Sequence, residues 1–261
     1  MYAIEVAGLS KRYGKIEALR GVNLRVPEGA VFGLVGPNGA GKTTLIKALV
    51  GTLRPSSGEM KVLGLAPHKD RNELRRRIGY MPQLPALYDD LPAHDNVEFF
   101  GAAHRPHDLR RRVAEVLQLT DLVNRAKEPV HAFSGGMKRR VSLACTLVHR
   151  PEMLLLDEPT AAVDPQLRSR LWKTFQRMAK DGATLFVSTH SMDEAMLCDR
   201  IAILRKGQII ASDTPRRIPQ WGRPVYSSTV AARRKRRSSA GIPRILPPRY
   251  APTASLQRSP L

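Results

Sequence analysis

The stretch Gly36-Pro37-Asn38-Gly39-Ala40-Gly41-Lys42-Thr43-Thr44 lies between two apolar segments. Residues 31–35 before it are apolar enough for a buried strand, and residues 45–50 after it continue as a helix. Its glycines allow the backbone to curl, so that several N–H groups and the start of the helix can point at one anion. Lys42 adds a positive charge, and Thr43 supplies a hydroxyl suited to Mg²⁺. This is the GxxxxGK[ST] pattern of a phosphate-binding loop, and it predicts that the chain binds a nucleoside triphosphate.

The composition is that of a globular protein with one main core. The chain has 261 residues and 42% hydrophobic content, enough for one core or for one core and a small second subdomain. No apolar run approaches the roughly 18 residues that a membrane-spanning helix needs. The first residues also lack the basic and then apolar pattern of a secretory signal. Cys145 and Cys198 have no metal-binding or redox spacing, so we expect two reduced thiols in a cytosolic protein.

The net charge of +20 is concentrated near the carboxyl end of the sequence. Residues 216–261 hold eleven of the 43 basic residues, none of the 23 acidic residues, and seven prolines. They include the run Arg233-Arg234-Lys235-Arg236-Arg237 and show neither helical nor strand periodicity. Such a segment cannot bury enough apolar surface to offset the entropy lost on ordering. We therefore expect a folded domain at residues 1–215, followed by a basic, proline-rich, disordered tail at residues 216–261.

Strand and helix patterns alternate along the rest of the chain and predict an α/β fold. Residues 1–28 alternate loosely between apolar and polar, as antiparallel strands with one solvated face do. Residues 84–150 are mainly helical in pattern and form a predicted helical subdomain. The later strand candidates are residues 60–63, 78–81, 153–158 and 184–189. The predicted fold is therefore a P-loop NTPase core with a mostly parallel sheet, an N-terminal antiparallel β subdomain and an inserted α-helical subdomain.

Two acids end one of the apolar strands. Leu154-Leu155-Leu156 is followed directly by Asp157 and Glu158. Beside a phosphate loop, Asp157 is a candidate Mg²⁺ ligand, and Glu158 is placed to polarise a water for attack on the γ-phosphate. The alternative is a pair of surface acids at a strand end.

Three further features are each weak evidence for a nucleotide site when taken alone. Residues 133–140 read Phe-Ser-Gly-Gly-Met-Lys-Arg-Arg, where Ser134 is a good helix N-cap and the glycines would let a phosphate approach, although an ordinary capped helix fits as well. Gln83 follows a predicted strand, where its amide could reach Mg²⁺ or the attacking water, but most glutamines are surface residues. His190 also follows a strand and could bond the γ-phosphate, but a lone histidine is usually structural.

Taken together, in this order and spacing, the motifs resemble the nucleotide-binding subunit of ATP-binding cassette (ABC) transporters. The sequence GPNGAGKTT at 36–44 is similar to Walker A, and LLLDEPT at 154–160 is similar to Walker B. FSGGMKRR at 133–140 resembles the family signature, and VSTH at 187–190 resembles the switch-histidine strand. The resemblance covers about residues 2–215. The methionine of SGGMKRR and the stretch VSTHSMDEA further resemble the bacterial subgroup that serves ABC-2-type exporters.

The resemblance implies a role for each motif in a Mg²⁺-dependent ATPase. Glu158 would be the catalytic base, and His190 would be its partner at the γ-phosphate. The residues implied to serve Mg²⁺ are Thr43, Gln83 and Asp157. Tyr13 would stack on adenine, and the residues implied to hold the phosphates of ATP are Gly36, Pro37, Asn38, Gly39, Ala40, Gly41, Lys42, Thr43 and Thr44.

The resemblance also implies that the chain works as a pair. Residues 161–164 would cross the interface between two ATPase subunits. The residues implied to contact the ATP held by the other subunit are Ser134, Gly135, Gly136 and Met137. Each chain would then be half of two composite sites, and ATP would join a homodimer or a heterodimer head to tail.

As a function, the resemblance implies ATP-driven export through a separate integral-membrane permease. The chain would lie at the cytoplasmic face of the cell membrane as a peripheral protein, docked through the helical insertion near Gln83. The alternative is a soluble ABC ATPase that acts on nucleic acid or ribosomes, although the long coiled-coil insertion or paired cassettes of such proteins are not found in this sequence. A binding module without catalysis conflicts with Glu158 and His190.

Four interpretations of the basic tail stay open. It could bind anionic lipid or nucleic acid, act as a flexible regulatory extension, or be a solvated segment without function. It could also reflect a disrupted reading frame, because the resemblance stops at Arg216.

Overall fold

Two β-sheets organise residues 1–218, the part of the chain that the computed structural model describes. The strands are β1 (Tyr2–Tyr13), β2 (Ile16–Pro27), β3 (Val31–Val35), β4 (Ser57–Val62), β5 (Ile78–Met81), β6 (Met153–Asp157), β7 (Thr184–Thr189), β8 (Arg200–Arg205) and β9 (Gln208–Asp213). The helices are α1 (Lys42–Leu49), α2 (Arg71–Arg77), α3 (Ala93–Ala102), α4 (Leu109–Leu119), α5 (Gly135–Leu147), α6 (Pro165–Lys180) and α7 (Met192–Ala195). Short 3₁₀ helices lie at Val123–Arg125 and Val130–Ala132.

The larger sheet has the strand order β5-β6-β7-β3-β8-β9. The strands from β5 to β8 are parallel, and β9 returns antiparallel to β8. Every residue of β3, β6 and β7 is buried, which explains why their sequences are continuous apolar runs rather than alternating ones. Because β6, β7 and β3 are neighbours, the residues that follow them meet at one edge of the sheet. The predicted α/β fold with a mostly parallel sheet is confirmed.

The smaller sheet is antiparallel, with the order β2-β1-β4. Its third strand differs from the predicted residues 60–63, because β4 begins at Ser57 and ends at Val62. The residues at 55–58 are typical of a turn, so the sequence pattern did not reveal the start of this strand. The strand pairs with β1 from Ser10↔Ser57 onward. Gly58 permits that pairing, since it has a φ of 89° and an added Cβ would lie 2.5 Å from the Gly8 carbonyl oxygen. Leu63, placed in the strand by the sequence pattern, leaves it with a φ of 50°.

Three helices, α3, α4 and α5, separate β5 from β6 and pack against one another. Asn96 of α3 is fully buried and accepts a hydrogen bond from the Tyr88 N–H. Its side-chain amide donates to the carbonyls of Tyr88, Leu91 and Pro92. This one side chain thereby fixes residues 88–92, the last part of the segment between β5 and α3 that also contains Gln83.

Only the first residues of the predicted tail belong to the described part of the chain. Residues 216–218 form a turn after β9, and Ile218 is buried. The remainder of the predicted tail, residues 219–261, lies outside the described residues. Within residues 1–218, no helix is long and apolar enough to cross a membrane.

Two histidines stack where the helical insertion meets the sheet. The rings of His104 and His149 lie 3.6 Å apart between centroids and are nearly parallel. His149 Nε2 lies 3.2 Å from the Ile78 carbonyl oxygen, which requires the Nε2–H tautomer for a hydrogen bond. Burial, and after it the charge of His104, lowers the pKa of His149 to about 4. Partial burial also lowers the pKa of His104.

These histidines predict that acid destabilises the protein. The unfolded chain binds a proton on His149 near its ordinary pKa of 6.5, whereas the folded chain stays neutral there until about pH 4, so stability is lost as the pH falls through this window. Between pH 7 and pH 5, His149 should lower the free energy of unfolding by about 2 kcal/mol. Urea unfolding at both pH values measures this for the wild type and for His149→Phe, which keeps an aromatic ring against His104.

The variant should lose about 2 kcal/mol less than the wild type between the two pH values. Comparing losses rather than absolute stabilities removes the packing effect of the substitution. Equal losses in the two proteins would contradict the assignment.

Candidate active site

The phosphate loop, residues 36–44, connects β3 to α1 and opens onto a cleft of about 600 Å³. Among the described residues, no side chain caps the start of α1, which leaves the first N–H groups of this helix without a side-chain acceptor. Two of the loop glycines are required by close contacts. An added Cβ at Gly36 would lie 2.3 Å from the Leu204 carbonyl oxygen, and one at Gly41, whose φ is 107°, would lie 2.6 Å from the Ala18 carbonyl oxygen. The loop is therefore held against the rest of the fold with its donors facing the cleft.

The cleft brings together most of the predicted loop, one later loop residue and one strand-end acid. The predicted residues that line it are Asn38, Gly39, Ala40, Gly41, Lys42, Thr43, Thr44, Gln83 and Glu158. Other lining residues come from β2 and from the turn between β8 and β9, namely Ile16, Glu17, Ala18, Arg20, Lys206 and Gly207. The sequence did not single these out, because they carry no pattern beyond that of a strand and a turn.

An ion pair lies at the centre of this cleft. The Lys42 ammonium donates to the Gly36 carbonyl at 2.8 Å and lies 3.3 Å from Glu158 Oε1. Lys42 is 5% exposed and Glu158 is 8% exposed. Two nearly buried charges of opposite sign therefore face each other beside the phosphate loop. Glu158 has a φ of 53°, a left-handed backbone conformation that costs a non-glycine residue free energy.

Ser188 of β7 holds both strand-end acids. Its hydroxyl donates to Asp157 Oδ1 at 2.6 Å and accepts from the Glu158 N–H at 3.0 Å. Asp157 is fully buried, and among the described residues its Oδ2 has no hydrogen-bond partner. Burial, and after it the charge of Asp157, raises the pKa of Tyr80 to about 12. A buried carboxylate oxygen without a donor is suited to a cation.

The other two predicted Mg²⁺ ligands lie together. Thr43 Oγ1 is 3.5 Å from Gln83 Oε1, at the limit of a hydrogen bond. Their hydroxyl and amide oxygens, like the carboxylate oxygens of Asp157, are donor types that Mg²⁺ takes in proteins.

His190 lies next to the ion pair. Its Nδ1 is 3.5 Å from Glu158 Oε2, while most of its side chain is exposed. Glu158 thus has Lys42 near one carboxylate oxygen and His190 near the other. The structure therefore brings these three predicted residues into one cluster.

Several predicted residues do not line this cleft, namely Gly36, Pro37, Asp157, His190, Tyr13 and residues 134–137. Tyr13 is half-exposed at the end of β1, where it pairs with Ile16 and has the Lys11 ammonium 5.1 Å from its ring centroid. At the start of α5, the Ser134 hydroxyl accepts from the Met137 N–H at 3.3 Å, as expected of an N-cap. Residues 134–137 are absent from the lining of the cleft described above.

A buried acid without a predicted role connects the loops that carry Glu158 and His190. Glu194 of α7 accepts from the Thr160 hydroxyl through one oxygen and from the Thr189 hydroxyl through the other, each at 2.6 Å. Thr160 follows Glu158 by two residues, and Thr189 directly precedes His190. The network therefore fixes the loops that carry Glu158 and His190 relative to each other. The available signals were the threonines inside the motifs DEPT and VSTH and the position of Glu194 itself in the stretch VSTHSMDEA.

This network predicts a stability loss at Glu194. In Glu194→Ala, both buried hydroxyls lose their charged acceptor, so the free energy of unfolding should fall by about 3 kcal/mol. Urea unfolding at pH 7 measures the loss. The matched control is Asp193→Ala, which removes an exposed acid from the same short helix and should cost less than about 1 kcal/mol. A loss at Glu194 no larger than the loss at Asp193 would contradict the role of the network.

A larger cleft of about 1280 Å³ lies at the opposite, amino ends of β6 and β7. It contains none of the predicted site residues. Its charged lining groups include the ion pairs Arg77–Glu152 and Arg150–Glu115. The glycine loop, Lys42 and Glu158 lie at the smaller cleft, which we therefore take as the candidate active site.

Comparisons with known proteins agree with the motifs. The family model described as ABC transporter matches residues 19–161. The linearmycin resistance ATP-binding protein LnrL of Bacillus subtilis (strain 168) is 39% identical over 214 residues, which are 81% of this chain and 69% of that protein. The daunorubicin resistance ATP-binding protein DrrA3 of Streptomyces coeruleorubidus is 41% identical over 81% of this chain and 68% of that protein.

A solved structure agrees as well. The dimeric structure of a post-hydrolysis state of the ATP-binding cassette MJ0796, bound to ADP and Pi, matches with a TM-score of 0.75. The two sequences are 27% identical, and the match covers 82% of this chain and 99% of that one. The resemblance predicted from the motifs is confirmed, together with the P-loop NTPase fold. The chain belongs to the ABC transporter family and is one of its ATP-binding, ATP-hydrolysing subunits.

Proposed function

We propose that this chain powers export through a separate integral-membrane permease, as one half of an ATPase dimer that closes on ATP. The observation that carries the proposal is the cluster of Lys42, Glu158 and His190 at the mouth of the phosphate loop. Export is favoured over uptake because the two relatives reported above are named for resistance to linearmycin and daunorubicin.

ATP would bind with its phosphates on the loop. The free N–H groups at the start of α1 and the Lys42 ammonium provide positive potential at one point. We assign the phosphate contacts to residues 36–44. Ile16 and Ala18 supply an apolar wall to the cleft, and Tyr13, at the neighbouring strand end, is the proposed stacking partner of adenine.

The oxygen atoms at the cleft fit Mg²⁺. Thr43, Gln83 and Asp157 would hold the ion, and the buried, unpartnered Oδ2 of Asp157 supports this assignment within the described residues. Bound there, Mg²⁺ would neutralise charge on the phosphates of ATP.

Glu158 is the proposed general base. Its carboxylate would accept the proton of a water as that water attacks the γ-phosphorus. Lys42 and His190, close to its two oxygens, restrict the carboxylate to one orientation. His190 is largely exposed, which leaves its ring free to contact the γ-phosphate.

The start of α5 supports a dimer. Ser134 and Gly135 are exposed at a capped helix start that could bind an anion, yet this helix start does not line the chain's own cleft. We assign residues 134–137 to the ATP held by a second subunit, and residues 161–164 to the interface between subunits. The second subunit can be identical or a related chain, giving a homodimer or a heterodimer.

We place the protein at the cytoplasmic face of the cell membrane, docked on its permease through the helical insertion. Large apolar side chains are exposed near Gln83, including Leu84 at 82% exposure, Tyr88 and Phe99. Such an apolar surface is suited to a protein partner.

The assignment of Glu158 predicts a separation of binding from turnover. Glu158→Gln keeps the size of the side chain but removes the base, so ATP turnover should fall at least about 100-fold. ATP affinity should stay within about twofold of the wild type, and the ATP-bound dimer should accumulate. Phosphate release, binding of a fluorescent ATP analogue and size-exclusion chromatography measure the three quantities.

The matched control is Glu59→Gln, which alters an exposed acid of β4 and should leave all three quantities unchanged. Unaltered turnover in Glu158→Gln would refute the assigned base. A variant that binds ATP and stays monomeric would refute the closed dimer.

We further propose that the basic run at residues 233–237 binds an anionic surface, with lipid as the first candidate and nucleic acid as the second. Replacing its five basic residues by glutamine should weaken binding to phosphatidylserine-containing vesicles at least about tenfold, since each charge contributes about 1 kcal/mol near such a surface. Vesicle sedimentation of the full chain measures the effect, with phosphatidylcholine vesicles and a short duplex RNA as comparisons. Retained ATP turnover is the control for folding.

Tighter binding to RNA than to vesicles would favour the soluble, nucleic-acid-directed alternative. Binding of the wild type to neither would rule out an anion-binding tail.

A further inference from the structure

One arginine of α5 connects two loops of the site. Arg139 donates through Nη2 to the Gln83 carbonyl oxygen at 2.8 Å. Through Nη1 it donates to the Ala161 carbonyl oxygen at 3.2 Å. Gln83 follows β5 and Ala161 follows β6, so a single guanidinium joins α5 to the ends of two neighbouring strands.

The neighbouring basic residues on α5 behave differently. Lys138 pairs with Asp89, and Arg140 pairs with Asp121 and donates to the Thr120 carbonyl. Within residues 1–218, no ion pair involves Arg139. Its two terminal nitrogens are used for two backbone carbonyls, and only a rigid planar fork such as guanidinium can reach both at once.

A second contact ties α5 to the same loop. Gly136 lies so close to Ala162 that an added Cβ would be 2.7 Å from the Ala162 carbonyl oxygen. Ala162 itself has a φ of 59°. The first turn of α5 and the loop at residues 161–162 are therefore packed directly against each other, with Arg139 extending the contact to Gln83.

These three elements serve different ATP molecules in the function proposed above, on which this inference rests. Gln83 faces the chain's own ATP, whereas the start of α5 and residues 161–164 face the other subunit. A rigid connection between them is a physical route by which occupancy of one site can change the other.

We propose that Arg139 is a positioning residue that couples the two composite ATP sites of the dimer. ATP bound in the chain's own cleft sets the position of the Gln83 loop. Arg139 transmits that position to Ala161 and to the start of α5, which closes on the ATP of the other subunit. Loss of the bridge should therefore reduce cooperativity between sites and leave nucleotide binding by a single chain intact.

The test compares the purified full-length wild type with Arg139→Gln and Arg139→Lys. ATP turnover measured against ATP concentration should give a Hill coefficient approaching about 2 for the wild type and about 1 for both variants. In the Glu158→Gln background, each variant should raise the ATP concentration needed for half-maximal dimer formation about tenfold. Binding of a fluorescent ATP analogue by the dilute monomer should change less than about twofold.

Arg139→Lys is informative because it keeps the charge but cannot span both carbonyls. The matched control is Arg111→Gln, which removes an exposed arginine of α4 that pairs with Asp108 and Glu115, and which should retain wild-type cooperativity. Circular dichroism verifies that each variant is folded.

Four results would overturn the coupling role. They are wild-type cooperativity in both Arg139 variants, a fall in monomer affinity as large as the fall in dimer formation, failure of both variants to fold, and a wild type that turns over ATP with a Hill coefficient of about 1. If instead Glu158→Gln alone does not dimerise on ATP, the proposed function itself fails, and the coupling role fails with it.

Discussion

The parallel pairing of β6, β7 and β3 is the constraint on which the rest of the site depends. All residues of these strands are buried, so apolar contact on both faces holds them in register. Their carboxyl ends then deliver the phosphate loop, two acids and a histidine to one edge of the sheet. Ser188, on the middle strand, hydrogen-bonds to Asp157 and to the backbone of Glu158. The register of the sheet therefore determines where these two acids lie.

The sequence predicted the parts of the site that local patterns describe. The phosphate loop, the strand-end acids and the capped start of α5 are each determined by residues close together in the chain, and each was found as expected. Arg139 was not assigned a role because both of its partners lie far away in sequence, and Glu194 was not because one of its two partners, Thr160, lies 34 residues away. From the sequence alone, an acid on a short helix and an arginine in a basic run look like solvated charges. Likewise, the start of β4 was hidden because residues 55–58 favour a turn and only pairing with β1 makes Ser57 a strand residue.

The ion pair of Lys42 and Glu158 shows why the site is costly to build. Both side chains are nearly buried, and removing two charges from water costs more than their mutual attraction commonly returns. An apolar pair of similar volume would stabilise the fold at least as well. Lys42 and Glu158 are therefore better explained by their proposed roles, Lys42 at the phosphates and Glu158 at the attacking water, than by stability. The same reasoning applies to Asp157, whose Oδ2 has no hydrogen-bond partner within residues 1–218 and would be stabilised by the proposed cation.

The left-handed backbone of Glu158 has a consequence for how the protein can change. A non-glycine residue in that conformation costs about 1 to 3 kcal/mol, which glycine would largely relieve. At the proposed base, the substitution that most relaxes the backbone thus also removes the carboxylate. Selection for thermal stability alone would favour glycine over Glu158. A mutant library screened only for heat resistance should therefore become enriched in inactive variants substituted at this position. Activity and stability compete at a single residue, and the surrounding sheet must be stable enough to tolerate the strain.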